Sequence, residues 1–293
     1  MLTQLLIETL FLPLLIGVLA YFAFGQRAGS LSLAYAFVVL LAVAATQVIL
    51  EGMPGWPPVS SKQKAPYVLA AASILFLVWP AYWPRLKPAL NGVVFWVASL
   101  APMVWIGFNV MPRKPVETLS IVVMATSLAV AGVILEGKAG GRAPANRVAG
   151  LSASAFAHLA LAIAAAFGAY VGMAQINGAA AAVVGGSALL AILLAFIGRP
   201  GSHMQTSTVY GLNWLLVVYA GITVLFGPHV SIWAVLLASL CPWVPVVLLR
   251  STRPVFANAG GVSHLVASCL AGIPAVISIA VSAATFLSSS SGH

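Results

Sequence analysis

Long apolar runs separated by short polar stretches cover almost the whole chain. Each run approaches the ~20 residues that an α-helix needs to cross the hydrocarbon core of a bilayer. The runs do not alternate apolar and polar residues as a barrel strand does. They lie within 3–24, 31–50, 66–83, 91–110, 117–136, 150–173, 179–197, 209–226, 230–249 and 262–287. The pattern predicts ten membrane-spanning helices, called here helix one to helix ten.

Composition supports a membrane protein. Hydrophobic residues make up 62% of the chain and charged residues only 6%, and Asp is absent. Soluble domains carry about 25% charged residues, so this chain cannot cover a water-facing surface. We expect an all-α polytopic membrane protein in contact with the lipid bilayer. The first run has no basic residue before it and Glu8 is its first charge, which favours a retained helix over a cleaved signal peptide.

The net charge of +9 indicates membrane orientation rather than nucleic-acid binding, because the basic residues are scattered over the loops. With ten helices, the loops on one side hold Lys62, Lys64, Arg113 and Lys114, and those on the other side hold the remaining nine basic residues. The side richer in Lys and Arg is normally cytoplasmic. This places both termini outside a plasma membrane, which in a bacterium is the inner membrane.

Four short matches recur in the same order along the two halves of the chain. AYFAFGQRAG at 20–29 matches AYVGMAQING at 169–178, at an offset of 149. The other three pairs have offsets of 143, 140 and 139: GWPPVSSKQKAPYVL at 55–69 with GRPGSHMQTSTVYGL at 198–212, ASLAPMV at 98–104 with ASLCPWV at 238–244, and Lys114–Val116 with Arg253–Val255.

The steady fall in offset predicts a duplication of five helices, with one repeat over 1–147 and a second over 148–293. Because five is odd, the second repeat is inverted in the membrane. Inverted repeats are typical of secondary transporters, whose two halves expose a central site to either side in turn. The pentapeptide VILEG also occurs twice, at 48–52 and 133–137. It joins the ends of helices two and five and fits no other pair, so we interpret it as coincidence.

Two prolines at equivalent positions mark a candidate site. Pro102 in helix four and Pro242 in helix nine each lie near the predicted membrane midplane. Proline removes a backbone donor and clashes with the preceding turn, and broken helices form the substrate site of many transporters. An ordinary kink is the alternative. Pro245 adds a second break, and Trp105 in helix four lies at the position equivalent to it.

The whole arrangement resembles the bile-acid-symporter and auxin-efflux-carrier type of transporter. The resemblance rests on ten helices in two inverted sets of five, with prolines interrupting helices four and nine. It covers the whole chain as architecture only, so it transfers no site residue. The drug/metabolite exporters also have ten helices in two fives, but with termini inside.

Few polar side chains lie within the predicted helices. Gln47, Asn109, His158 and Asn213 are candidates for the substrate pathway, although such residues more often bond a neighbouring helix. Cys241 lies beside Pro242 and is a further pathway candidate, while both it and Cys269 are interpreted as small buried hydrophobic residues. His158 and His264 lie about 9 Å apart in helix rise, so we expect no haem, metal or other cofactor.

A transporter or facilitator of a small solute, with its site between helices four and nine, is the leading hypothesis. Glu8 is the only carboxylate predicted inside the membrane, which argues against ion coupling. A non-transporting subunit of a larger electron-transfer, pigment or lipid-handling complex is the alternative, and it would need partner membrane subunits. An enzyme is not expected, because no cluster of acids, histidines or nucleophiles can be assembled.

Overall fold

A computed structural model describes residues 6–25, 30–82, 87–138, 144–199, 206–250 and 261–290. Within these ranges the chain is helical, with short turns and no strand. In chain order the helices are α1 (Ile7–Gly25), α2 (Ser30–Glu51), α3 (Ser61–Tyr82), α4 (Pro88–Gly107), α5 (Pro115–Lys138), α6 (Pro144–Phe167), α7 (Val171–Phe196), α8 (Thr206–Phe226), α9 (Ile232–Ala238), α10 (Trp243–Arg250) and α11 (Gly261–Ser290).

Among the described residues, eight helices are long and apolar enough to cross a membrane: α1, α2, α4, α5, α6, α7, α8 and α11. The chain is therefore a helical integral membrane protein, as its composition predicts. In α3 the apolar stretch is shorter, over Gln63–Val78, and predicted helix nine is divided into α9 and α10. The count of ten crossings and the inverted repeat stay predictions.

Helix α8 is the centre of the bundle. Of the eight candidate spans it has the largest buried share, 89%, whereas α1 has only 22%. It packs against α2, α3, α4, α5, α6 and α7, and its large side chains Tyr210, Trp214 and Tyr219 are almost fully buried. Residues on different sides of α8 therefore meet different helices, and a polar residue on any side of it lies inside the protein rather than in lipid.

Small residues let α1 approach α7 closely. Ser187 Oγ donates a hydrogen bond to the Gly17 carbonyl oxygen at 2.8 Å. A Cβ atom on Gly186 would overlap the carbonyl oxygen of Leu14, and one on Gly17 would overlap that of Val183. Without a hydrophobic force between helices in lipid, such close backbone packing is a main source of association.

The predicted break in helix four is wrong. Helix α4 runs without interruption through Pro102, whose ring leaves the carbonyl oxygen of Ala98 without its usual helical donor. The indole Nε1 of Trp214 on α8 donates to this oxygen at 2.8 Å. Because a neighbouring helix satisfies the freed carbonyl, α4 tolerates the proline inside the membrane.

Helix nine is interrupted at Pro242, as predicted. Between α9 and α10 the backbone tightens into bonds three residues apart, including Cys241 N to Ala238 O at 3.2 Å and Val244 N to Cys241 O at 3.1 Å. These two oxygens are the ones that Pro242 and Pro245 would otherwise leave without a donor. The interruption is therefore a tight, hydrogen-bonded turn rather than an extended segment.

Candidate functional site

A buried polar network joins α2, α6, α7 and α8 in the interior of the bundle. Gln47 Nε2 on α2 donates to Glu51 Oε2 at 3.3 Å, and Tyr219 OH on α8 donates to Gln47 Oε1 at 3.2 Å. The ring of Tyr219 lies edge-on to that of His158 on α6, with centroids 6.1 Å apart. His158 in turn contacts Asn177 on α7. The network thus leads from a helix end to the interior.

The partners of His158 define its tautomer. Asn177 Nδ2 donates to the Met173 carbonyl oxygen at 3.0 Å, so Asn177 Oδ1 faces His158 Nδ1, 3.1 Å away. Since Oδ1 only accepts hydrogen bonds, Nδ1 carries the hydrogen and Nε2 of the neutral ring is an acceptor. The His158 side chain is fully buried, and its Nε2 has no hydrogen-bond partner among the described residues. This nitrogen is free to accept a bond.

A cavity of about 440 Å³ opens where α2 ends. Its polar lining comes from Glu51, from Ser60 and Gln63 at the start of α3, and from Gln175 on α7. Ser60 and Gln63 form a reciprocal cap: Gln63 N donates to Ser60 Oγ and Ser60 N donates to Gln63 Oε1, both at 3.3 Å. The cap fixes the start of α3 as one wall, and Glu51 connects the cavity to the buried network.

Tyr170, in the short turn between α6 and α7, lies near the same carboxylate. Partial burial, followed by the negative charge of Glu51, raises the pKa of the Tyr170 phenol to about 12. Both effects disfavour the phenolate, so Tyr170 stays neutral at physiological pH. It can then donate or accept a hydrogen bond at this mouth of the bundle without adding charge.

A second polar cluster lies towards the other end of α8. Asn91 Nδ2 on α4 donates to Glu136 Oε1 on α5 at 2.7 Å, and Tyr210 OH on α8 donates to Glu136 Oε2 at 3.4 Å. Tyr210 and Tyr219 are separated by about 14 Å of helix rise. Each is linked to a carboxylate near one end of the bundle: Tyr210 directly to Glu136, and Tyr219 through Gln47 to Glu51.

Two further buried polar atoms lie between these clusters. Ser154 Oγ on α6 and Asn213 Nδ2 on α8 have no hydrogen-bond partner in the described part of the chain, and both residues are at most 2% exposed. Together with the two clusters they complete a route of polar side chains along α8 from Glu51 to Glu136. Thr223 on α8 belongs to the first cluster, since its hydroxyl accepts a bond from Asn177 Nδ2 at 3.4 Å. We call the whole series the α8 polar route: Glu51, Gln47, Tyr219, His158, Asn177, Thr223, Ser154, Asn213, Tyr210, Asn91 and Glu136.

Three residues predicted from the sequence lie on the α8 polar route: Gln47, His158 and Asn213. Cys241 and Pro242 are buried in the turn between α9 and α10, and Pro245 is buried at the start of α10. The two halves of helix nine pack mainly on α6 and α11, whereas α4 packs on α5 and α8. Helices four and nine therefore have different principal neighbours.

The remaining predicted residues lie in the second half of α4 or directly after it. This helix begins three residues earlier than expected, at Pro88, and ends at Gly107, so Pro102 lies beyond its middle. Trp105 is exposed, with Lys64 Nζ 5.4 Å from its ring centroid and bonded to its carbonyl oxygen. The sequence predicted Asn109 within the membrane helix, but it is exposed in the turn after α4.

One cysteine prediction needs correction. Cys241 is buried as expected, but Cys269 on α11 is exposed, because α11 packs on α6, α7 and α9 with one face only. Apolar character in a membrane helix does not tell a lipid-facing position from a buried one, since both favour apolar side chains.

The sequence interpretation missed both carboxylates of the route. Glu51 and Glu136 lie at helix ends, where interfacial charges are ordinary. A signal was present, because they are the acids of the two VILEG segments that we interpreted as coincidence. Glu136 bonds side chains of α4 and α8, and Glu51 bonds Gln47 of its own helix, which Tyr219 links to α8.

No group of three or more His, Cys, Asp or Glu side chains suited to a metal ion occurs among the described residues. Comparison of the chain with family models, with curated proteins and with solved structures finds no match. The geometry of the polar route and its cavity is therefore the basis for a proposed function.

Proposed function

We propose that the protein is a transporter or facilitator for a small solute, and that the α8 polar route is its pathway. The observation that carries the proposal is a series of buried polar side chains along the most enclosed helix, with a carboxylate near each end. Buried polar groups are costly in a membrane and are normally kept for function or for bonds between helices. A purely structural role would leave few of them without partners.

The route replaces the pathway expected between helices four and nine. The cavity at Glu51 supplies an entrance, and the bonds of Gln47 to Glu51 and to Tyr219 close its inner side. A solute could pass only if these bonds exchange for bonds to the solute. We therefore expect the Glu51 and Glu136 ends to open in turn, as in alternating access.

The test is solute flux in proteoliposomes that contain the purified protein. Osmotic swelling, followed by stopped-flow light scattering, reports the entry of each solute in a panel of small neutral, anionic and cationic compounds. We expect at least one solute to enter faster than in protein-free vesicles. Gln47→Leu should abolish the increase because it removes the polar side chain that exchanges its bonds to Glu51 and Tyr219 for bonds to the solute.

The matched control is Thr46→Val. Thr46 is the buried neighbour of Gln47, and its hydroxyl bonds the Ala42 carbonyl of its own helix, so flux should stay close to that of the unmodified protein. Absence of flux for every solute would refute transport. Stoichiometric partner subunits after purification in mild detergent would then favour the subunit of a larger complex.

A further inference from the structure

We infer that the α6–α8 interface holds a binding site for a small uncharged solute with both hydrogen-bond donors and acceptors, such as an amide, a urea or a polyol. This inference rests on the proposed function and names the substrate class. The site is defined by three buried side chains with free hydrogen-bonding atoms: His158, Ser154 and Asn213.

Two contacts establish how α6 and α8 are paired. A Cβ atom on Gly150 would lie 4.0 Å from Val209 Cγ2, and further along both helices the rings of His158 and Tyr219 are 6.1 Å apart. The helices therefore run in the same direction. Ser154 is one turn from both Gly150 and His158, so helical periodicity places it on the face of α6 that meets α8.

Asn213 follows Val209 by one turn on α8 and lies on the same face, level with Ser154. His158 lies about 6 Å further along the axis. The three free atoms are thus confined to a short length of one interface between two buried helices. In the low dielectric of this interior, a polar group without a partner is costly, and a bound solute would remove that cost.

The chemistry of the three atoms selects the ligand. His158 Nε2 accepts, Asn213 Nδ2 donates, and the Ser154 hydroxyl can do both. A solute must therefore offer both donors and acceptors to satisfy the site. His158 contacts Asn177 and Tyr219, and Asn177 also bonds Thr223; all three side chains are uncharged.

The positions of the charged residues exclude ions as ligands of this site. The two carboxylates of the route lie at its ends, at Glu51 and Glu136, and not at the level of His158. An ion at this level would lose its hydration without gaining a counter-charge, which is unfavourable inside a membrane. A neutral solute with both donors and acceptors binds this site without the cost of removing an ion from water.

The experiment measures the swelling of proteoliposomes with three neutral probes, acetamide, urea and glycerol, and two ionic probes, methylammonium chloride and sodium acetate. We expect the neutral probes to enter faster than in protein-free vesicles and the ions not to. Asn213→Leu should lower acetamide and urea entry about tenfold, the effect of losing one hydrogen bond of ordinary strength to a bound solute. Ser154→Ala should act in the same direction.

The control is Ser99→Ala on α4, which removes a buried hydroxyl that bonds the carbonyl of Phe95 in its own helix. Its neutral-solute flux should match the unmodified protein. A folding defect is distinguishable, because Asn213→Leu and Ser154→Ala remove polar atoms without partners and should leave resistance to SDS unfolding equal or higher.

Three outcomes overturn the inference. Entry of the ionic probes alone would keep the proposed function and refute the uncharged substrate. Neutral flux that is unchanged in both Asn213→Leu and Ser154→Ala would place the binding site elsewhere. No flux with any probe would refute the inference and the proposed function together.

Discussion

At the scale of single residues, Trp214 is the side chain that allows α4 to contain Pro102. Its indole hydrogen bond to the Ala98 carbonyl oxygen replaces the helical bond that the proline removes. Trp214 also packs edge-on against Phe76 on α3, with ring centroids 6.0 Å apart. One residue of the central helix therefore ties α3 and α4 to the core.

A double-mutant cycle tests this role. Trp214→Phe should lower the free energy of unfolding by about 1–3 kcal/mol, because it leaves the Ala98 oxygen unsatisfied. In a Pro102→Ala protein the restored backbone N–H bonds that oxygen, so the same change should cost less. SDS-induced unfolding in mixed micelles, followed by far-UV circular dichroism, measures both costs. Equal costs in the two backgrounds would mean that the indole bond does not compensate for the proline.

Two glutamates at helix ends have different bonding partners. Glu51 and Glu117 are both glutamates at helix ends. Glu117 Oε1 lies 4.0 Å from Lys114 Nζ, an ordinary pair within the first turn of α5. Glu51 instead accepts a bond from Gln47, which Tyr219 links to the interior. Local sequence around a helix end does not distinguish these two environments.

At the scale of helices, the contact between α1 and α7 depends on glycine. The Cβ of Gly186→Ala would overlap the backbone carbonyl of Leu14, which cannot move without displacing α1. We expect this change to cost about 1–3 kcal/mol of unfolding free energy, as overpacking does in other tightly packed interiors. The measurement is again SDS-induced unfolding in mixed micelles.

Gly178→Ala is the matched control on the same helix. A Cβ atom at Gly178 would have no neighbour within 4 Å, so the change should be neutral or stabilising by up to about 1 kcal/mol through helix propensity. If both alanines have the same effect, the close approach of α1 to α7 is not what stabilises this interface.

Helix α8 shows how an element can be apolar by composition and yet carry a polar route. Its sequence between Tyr210 and Thr223 contains only a few polar residues among many apolar ones. They lie on different sides of the helix, and each meets a different neighbour: Tyr210 meets α5, Tyr219 meets α2, and Thr223 meets α7. Only a helix surrounded by others can use all of its sides in this way.

At the scale of the whole molecule, the charge asymmetry of the loops predicts which side each loop occupies. Trp56, in the loop after α2, should be outside the cell, and Lys87, before α4, should be in the cytoplasm. Both side chains are exposed. In a Cys269→Ser background, a membrane-impermeant maleimide should label Trp56→Cys in intact cells and Lys87→Cys only after permeabilisation.

The same experiment tests whether α3 crosses the membrane, since its apolar stretch, Gln63–Val78, is shorter than those of the eight candidate spans. Labelling of both cysteines in intact cells would mean that α3 does not cross the membrane and that the ten-helix topology fails. Labelling of Lys87→Cys in intact cells, and of Trp56→Cys only after permeabilisation, would mean that α3 crosses the membrane but that the protein has the opposite orientation.

The sequence by itself determined the class of protein and most of its helices. Runs of apolar residues with so few charges have no stable arrangement in water, and in lipid a helix satisfies its own backbone. Proline also marked the interruption between α9 and α10 correctly, since the bonds it removes are local to the chain. These features follow from neighbours in sequence.

Only the tertiary structure decided which polar residues meet. Pro102 does not break α4 because Trp214, far away in sequence, bonds the carbonyl it frees. Gln47 and His158 were visible as polar residues in apolar runs, but their partners Tyr219 and Asn177 lie on other helices. Membrane helices are apolar on their lipid-facing and buried sides alike, so the sequence pattern does not fix how each helix is rotated or which helices it contacts. Packing decides both, and it therefore decides the route along α8.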